Sequence, residues 1–424
     1  MMIATSHWII SIGLAHTTQP DVALASYAVG MSTLALFETA ASMLRVTAVT
    51  LVRVKEDVRV VLRAGFAAVV AFVAIAGVFC QTPALPWVFR HVLGVAPELI
   101  PLAVTVFRIM LILPMGSGLR SFFQGLIVRQ QRTGFVMFAT IVRLGVMTAT
   151  IVTLVKLRPH WGGAIGAVTF LLGVWTEATL SFLVFRQGRH EMASRATPSL
   201  VTNRTVLSFL LPLMVSGMVS NSGRMFLNAG LAGEGVPAEV LAAFAIAWSV
   251  VWVIASAVSG VHQMLLVFAD DRNPEMLSAI RRFFVVLAVV CVALIAVLSF
   301  TPLTKLVLQK VMGTPEELMA GTTRAMRWLV LLPLALAWEE WLLGRIYQRR
   351  RTDVVLWGKL MKVAVMGLTA GPGYRVLASL GSAVGSVAMV LGHIAEGIVL
   401  AVVCQRHRQQ ARTSALYLRA DQGH

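Results

Sequence analysis

Residues 162–177 read GGAIGAVTFLLGVWTE, and residues 381–396, 219 positions further along, read GSAVGSVAMVLGHIAE. The same offset relates other charged, glycine and proline residues of the two halves: Arg108, Pro114, Gly125, Arg132 and Thr133 in the first, and Arg327, Pro333, Gly344, Arg351 and Thr352 in the second. Matches among these rarer residue types at one fixed offset are not expected by chance. The chain is therefore two copies of one unit.

The composition is that of a membrane protein. The 424 residues are 58% hydrophobic and 13% charged, with a mean hydropathy of +0.80, whereas soluble domains are about a quarter charged. Apolar stretches near the ~20 residues that cross a bilayer recur along the chain, at 3–15, 22–46, 59–80, 101–128, 135–157, 164–186, 205–231, 238–266, 282–302, 320–346, 354–371 and 379–404. We therefore expect an all-α integral membrane protein with twelve transmembrane helices, six per repeat.

The basic residues predict the topology. The net charge is +17, and its excess lies in the loops after even-numbered segments, for example Arg53 to Arg63, Arg186 to Arg204 and Arg345 to Arg351. Such loops are cytoplasmic by the positive-inside rule. An even number of helices per copy makes the two bundles parallel repeats about an axis along the membrane normal. Because the basic residues form no stripe between aromatic residues, we expect no nucleic-acid partner.

This topology gives a domain plan. Residues 1–190 form the N-terminal six-helix bundle, 191–204 a cytoplasmic linker, 205–404 the C-terminal six-helix bundle, and 405–424 a basic cytoplasmic tail. We expect a multi-pass monomer in the cell inner (plasma) membrane, with a cytoplasmic C-terminus.

The first helix is predicted to be truncated. Gly13-Leu14-Ala15 matches Gly230-Leu231-Ala232 at an offset of 217, but only about 15 residues precede the first loop, roughly 22 Å of helix, too short to span. The pattern predicts a native start upstream of Met1. A signal peptide is the alternative, although the segment lacks a positive n-region.

Charges inside the spans are the candidate functional residues, because an ionisable group in a bilayer is costly and faces a partner or a watery cavity. Arg143 and Glu177 lie at equal distances from the loop between their helices, and Lys362 and Glu396 satisfy the same counting. These spacings predict two internal ion pairs that stabilise each half. A proton-coupling role for Glu177 or Glu396 is the alternative.

Arg224 is predicted to lie near the bilayer midplane, with Asn221 and Asn228 on the same helical face. His7 holds the equivalent place in the first copy. A guanidinium binds phosphate or carboxylate in bidentate fashion, so His7, Asn221, Arg224 and Asn228 form the predicted substrate site. The alternative is that Arg224 pairs with Glu38 or another carboxylate.

Other charges leave more than one interpretation open. Partners of Glu38, Glu339 and Glu340 are not readable from the sequence. Arg108 and Arg327, nearer the outer face, fit either a ring at an outer mouth or contacts with headgroups.

Several function classes are excluded by pattern. The sequence has no GxxxxGK[ST] loop, zinc-ligand spacing or nucleophile elbow, and Cys80, Cys291 and Cys404 are scattered. We therefore expect no catalytic residues, no cofactor and no metal. Transport remains.

The motif Leu119-Arg120-x-x-x-Gln124-Gly125-Leu126 followed by Arg132-Thr133 resembles the multidrug, oligosaccharidyl-lipid and polysaccharide (MATE-like) flippase superfamily. Four stretches resemble its progressive ankylosis family: Leu24-Ala25-Ser26-Tyr27, Ser208-Phe209-x-x-Pro212-Leu213, Phe268-Ala269-Asp270, and Gly381-x-x-x-Gly385 with Gly392-x-x-x-Glu396. The resemblance implies two parallel six-helix bundles, export of pyrophosphate or related polyanions such as nucleotides or citrate, and Arg224 as a substrate contact.

We therefore expect a secondary transporter that exports a small polyanion by alternating access. The alternatives are a lipid-linked oligosaccharide or polysaccharide flippase, a multidrug exporter of the same superfamily, and a membrane scaffold that transports nothing.

Overall fold

The computed structural model describes residues 2–91, 95–188, 201–231, 237–268, 274–312 and 314–421, with the backbone alone for 2–5, 8, 238, 311 and 406–421. Several sequence-predicted features lie outside the described residues: most of the linker (residues 191–200), the end of the motif at Ala269-Asp270, the basic residues Arg189, Arg195 and Arg272, and the side chains of the basic tail. Every regular element in the described ranges is helical.

The chain divides into two compact units, Met1–Met218 and Val219–His424. The first unit contains α1 (Met2–Leu14), α2 (Pro20–Ser42), α3 (Leu44–Leu51), α4 (Lys55–Gln81), α5 (Ala84–His91), α6 (Ile100–Met110), α7 (Leu113–Arg129), α8 (Thr133–Leu157) and α9 (Gly163–Gly188). Helix α10 (Asn203–Leu231) continues from the first unit into the second. The second unit then contains α11 (Ala238–Ala255), α12 (His262–Phe268), α13 (Pro274–Phe300), α14 (Leu303–Lys305), α15 (Glu316–Leu329), α16 (Leu332–Gln348), α17 (Thr352–Ala370), α18 (Tyr374–Leu377) and α19 (Ala383–Asp421).

The sequence repeat is visible in the backbone. Helices α4 and α13 begin and end 219 residues apart, and so do α7 and α16. The turns between helices also correspond, since Gln131 and Arg350 share a positive φ of 60° and 57°, and Gly162 and Gly381 share 52° and 54°. The duplication predicted from rare residues therefore extends to helix ends and turn conformations.

The apolar spans number fewer than the twelve predicted. Within the described residues, eight helices are long and apolar enough to cross a membrane, or nine if Thr352–Ala370 and Tyr374–Leu380, bent by 57°, count as one span. The segments predicted as single helices at 101–128 and 320–346 each break, after Met110 and Leu329. Pro114 and Pro333 lie in the first turn of the next helix, where a missing N–H costs least.

Corresponding helices pack in the same way inside each unit. Helix α9 lies against α7 and α8, and α19 against α16 and α17. Helices α3 and α7 approach closely at Gly125, where an added Cβ would lie 2.8 Å from the carbonyl oxygen of Arg45. These helix triplets bring the charged residues of the spans into the interior of each unit.

Candidate functional site

Glu177 of α9 is the centre of a buried polar cluster in the first unit, and it is 3% exposed. Four side chains donate hydrogen bonds to its carboxylate: Arg143 Nη1 at 2.9 Å, Arg120 Nη1 at 3.2 Å, Gln124 Nε2 at 2.9 Å and Thr140 Oγ1 at 2.8 Å. Arg143 and Thr140 come from α8, while Arg120 and Gln124 come from α7. The structure thus brings Arg143 and Glu177 together, and three further side chains donate to the same carboxylate.

The same cluster reaches α1 and α2. Arg120 Nη2 lies 3.5 Å from Glu38 Oε1, which also accepts a hydrogen bond of 3.0 Å from Ser117 Oγ. Arg143 Nη2 donates to Ser6 Oγ at 2.8 Å. Two arginines and two glutamates therefore balance in charge, and Glu38 has its partner within the first unit.

Glu396 of α19 is the centre of the corresponding cluster in the second unit, and it is fully buried. Its carboxylate lies 2.6 Å from Lys359 Nζ and 3.3 Å from Lys362 Nζ. Glu339 lies 2.9 Å from Lys359 and 3.7 Å from Lys362, and its Oε2 contacts His393 Nδ1. The structure brings Lys362 and Glu396 together, and again two cations meet two carboxylates.

The two clusters reach this balance with different residues. Glu177 and Glu396 correspond, as do Arg143 and Lys362, but three other positions change in formal charge. They are Arg120, Thr140 and Glu38 in the first half and, at the corresponding offsets, Glu339, Lys359 and Ala255 in the second. The change of charge from Arg120 to Glu339 is offset because Lys359 replaces a threonine and Ala255 replaces a glutamate.

A second set of polar contacts binds α3 to α7 in the first unit and the start of α12 to α16 in the second unit. Arg45 donates to Gln124 in the first unit. At the equivalent place in the second unit, Glu340 Oε2 lies 2.7 Å from His262 Nδ1 and accepts the backbone N–H of His262 at 3.1 Å and of Gly260 at 3.0 Å. A carboxylate here satisfies the free N–H groups at the start of a helix, so Glu340 has a local structural role.

Glu339, His393 and Glu396 have ligand atoms within 4.8 Å of one another, close enough for a metal ion. Both carboxylates are already in contact with Lys359 and Lys362. An added divalent cation would meet two ammonium groups at once, so the donor set favours the internal salt-bridge network over metal coordination.

The predicted substrate residues lie in surroundings that differ from those of the two buried clusters. Arg224 is exposed, and its guanidinium carbon lies 5.4 Å from the centre of the Trp248 ring. Among the described residues of the second unit, no carboxylate forms an ion pair with it. Asn221 is half-buried and Asn228 exposed on the same helix. In the first unit, His7 stacks on Phe170 at 5.3 Å.

Three cluster residues were not singled out from the sequence as site residues. Lys359 lies one turn before Lys362, and His393 one turn before Glu396, so i, i+3 spacing from a predicted residue was the available signal. Arg120 corresponds to Glu339 at the offset of 219. Buried charge at both members of a repeat pair marks a shared site even when the sign differs.

Known proteins resemble the chain at two levels. The family model of the progressive ankylosis protein matches residues 194–361. No curated protein matches the sequence.

Solved MATE structures resemble the whole fold. One in a straight conformation has a TM-score of 0.72 at 16% identity, over 97% of this chain and 93% of that chain, and one in a bent conformation has 0.69 at 17%, over 98% and 96%. A transporter of the MOP superfamily from Pyrococcus furiosus, described as having a binding pocket of reverse polarity that suggests a different function, has 0.65 at 16%, over 97% and 92%.

The resemblance found in the sequence is confirmed at both levels. The chain is a multi-pass, all-α membrane protein with a MATE-like fold, and it resembles the progressive ankylosis family in a stretch that begins before α10 and ends within α17.

Proposed function

We propose that this protein is a secondary transporter that exports a small polyanion, such as pyrophosphate, a nucleotide or a citrate-like tricarboxylate, by alternating access. In this proposal twelve membrane segments form two parallel six-helix bundles, and the C-terminus lies in the cytoplasm. The family match supports an anionic substrate, and the MATE-like fold supports transport.

Arg224 is the observation that carries the proposal. A guanidinium in a spanning helix is costly unless something neutralises it, and no described carboxylate of the second unit does so. Its contact with Trp248, itself stacked on Trp252 at 4.9 Å, contributes only about 0.5–1 kcal/mol at an exposed position. We infer that the planar guanidinium of Arg224 uses its N–H donors to bind an anionic group of the substrate in bidentate fashion.

The two buried clusters have a different part in this proposal. Arg143 and Lys362 are both paired with glutamates inside their own units, which satisfies their charge before any substrate arrives. We assign these ion pairs to holding each half as a rigid body. Coupling by protonation of Glu177 or Glu396 is the competing role.

Export of organic cations is the alternative function, since structures of multidrug MATE transporters share the fold. A cation carrier needs an acid free to receive the substrate. The acids described in the two clusters are each in contact with a basic side chain, which favours the anion.

Reconstitution into proteoliposomes tests the proposal. We expect pyrophosphate or citrate flux, and a loss of about tenfold or more in Arg224→Ala because a charged hydrogen bond contributes about 1.5–3 kcal/mol. Arg375→Ala, which removes an exposed arginine from the short helix α18 of the same half, is the matched control and keeps the flux.

Every other result of the proteoliposome assay contradicts a specific part of the proposed function. Ethidium flux without anion flux supports the multidrug alternative, and lipid scrambling without anion flux supports the flippase. An absence of all three supports the scaffold. Anion flux that survives Arg224→Ala shows a transporter whose substrate site lies elsewhere.

A further inference from the structure

A cavity of about 530 Å³ lies in the second unit between the end of α13 and the face of α15. Its size is within the range of about 300–1,000 Å³ that is typical of small-molecule sites. Arg324 and Arg327 project from one face of α15, three residues apart, and Lys305 ends α14. Three cations therefore converge on one cavity.

These cations have no acid to neutralise them. Among the described residues, Lys305, Arg324 and Arg327 form no ion pair with a carboxylate, and no acidic residue lines the cavity. Arg327 Nε donates to the carbonyl oxygen of Ser299 at 3.4 Å, and its guanidinium lies over the Phe300 ring at 5.1 Å. These contacts orient Arg327 at the carboxyl end of α13, but neither of them supplies a formal negative charge.

One buried hydroxyl in the cavity wall also has no partner. Ser299 is 1% exposed, and its Oγ forms no hydrogen bond. The neighbouring Thr301, Thr304 and Thr323 instead donate to backbone carbonyls. An unpaired buried hydroxyl is costly, and here it lines a cavity that also presents three cations.

We propose that this cavity binds the phosphate group of an anion, through Lys305, Arg324, Arg327 and the hydroxyl of Ser299. Guanidinium and ammonium groups are the protein's usual ligands for phosphate, and the group belongs either to free phosphate or pyrophosphate or to a phospholipid headgroup. Under the predicted topology the cavity faces the side opposite the basic loops. Arg224 is not among its lining residues, so it is a second anion site that does not depend on the first.

The first half supplies the internal comparison. At the offset of 219, Lys305, Arg324, Arg327 and Ser299 correspond to Pro86, Thr105, Arg108 and Cys80. The first half retains a single cation and no hydroxyl at the position of Ser299. Arg108 and Arg327 correspond in the repeat, but the other two cations and the hydroxyl around Arg327 have no counterpart in the first half.

Pyrophosphate binding by calorimetry, on purified full-length protein in the Arg224→Ala background, tests the site separately from the transport site. We expect one remaining binding event that weakens about tenfold for each of Lys305→Gln and Arg324→Gln, equivalent to about 1.4 kcal/mol per charge. Ser299→Ala weakens it severalfold, and its small side chain keeps the fold. Arg108→Gln removes the same charge from the first half and leaves binding unchanged.

Native mass spectrometry of the same proteins distinguishes the two sources of phosphate. If the ligand is a lipid, Arg324→Gln loses retained phospholipid that Arg108→Gln keeps, and pyrophosphate does not displace it. If the ligand is free, pyrophosphate binds and the retained lipid is the same in all variants. Equal pyrophosphate binding and equal lipid retention in Arg324→Gln and Arg108→Gln overturn the proposal.

Discussion

Replacing Glu177 with glutamine tests the buried cluster of the first unit most directly. The carboxylate accepts four hydrogen bonds, two of them from guanidinium groups. After the change, Arg120 keeps Glu38 at 3.5 Å, whereas Arg143 loses the carboxylate that lies 2.9 Å from its Nη1. Because the buried cluster then holds two guanidinium groups and one carboxylate, we expect a loss of about 3–5 kcal/mol in the free energy of unfolding.

The matched control is Glu38→Gln in the same cluster. The side chain of Glu38 is 21% exposed, against 4% for Glu177, and it meets one hydroxyl at 3.0 Å and one distant guanidinium nitrogen. Its removal leaves Arg120 still paired with Glu177 at 3.2 Å. We expect a loss of about 1 kcal/mol.

Reversible unfolding by sodium dodecyl sulfate in mixed micelles, followed by tryptophan fluorescence, measures both losses on one scale. An equal loss in the two variants refutes the assignment of Glu177 as the centre of the cluster. Flux per folded protein separates the two roles of the residue. If folded Glu177→Gln transports normally, the carboxylate does not couple transport to protons.

Three further changes follow from the same structure. Glu339→Gln leaves two lysines with one carboxylate and lowers the free energy of unfolding by about 3 kcal/mol. Adding Lys359→Thr, which introduces the residue type of the equivalent first-half position, recovers about half of that loss in the same unfolding assay. Gly125→Ala costs about 1–3 kcal/mol because its Cβ would meet a backbone carbonyl at 2.8 Å, whereas Gly145→Ala, with nothing within 4 Å, raises stability by about 0.5–1 kcal/mol. Gln131→Gly removes the steric cost of a non-glycine residue at a positive φ of 60°, and we expect the free energy of unfolding to rise by about 0.5–1 kcal/mol. A higher melting temperature is the expected observation, and a lower one contradicts this.

The level of a charge along its helix was readable from the sequence, but its direction around the helix was not. Counting from a shared loop is enough to place Arg143 beside Glu177, since antiparallel helices rise equally per residue. Arg120 comes from a third helix, and its reach to Glu177 depends on how α7 rotates against α9. That rotation is set by side-chain packing, which no local spacing encodes.

The helix breaks escaped prediction for a related reason. Residues 101–128 are mostly apolar and were predicted as one helix that includes Pro114. A proline is also well accommodated in the first turn of a new helix, and the structure ends α6 at Met110 and begins α7 at Leu113. Apolar composition gives the depth of a segment in the membrane, but it does not distinguish one bent helix from two.

The charge exchange between the halves bears on how such a protein moves. Position 120 carries a cation where its equivalent, Glu339, carries an acid, yet each cluster holds two cations and two acids. Independent drift at these positions would leave an unpaired buried charge, which costs several kcal/mol. The acids and cations of each cluster are therefore paired within their own unit. In the alternating access that we propose, the two units can therefore change their relative position without breaking the ion pairs of these clusters, because each pair lies within one unit.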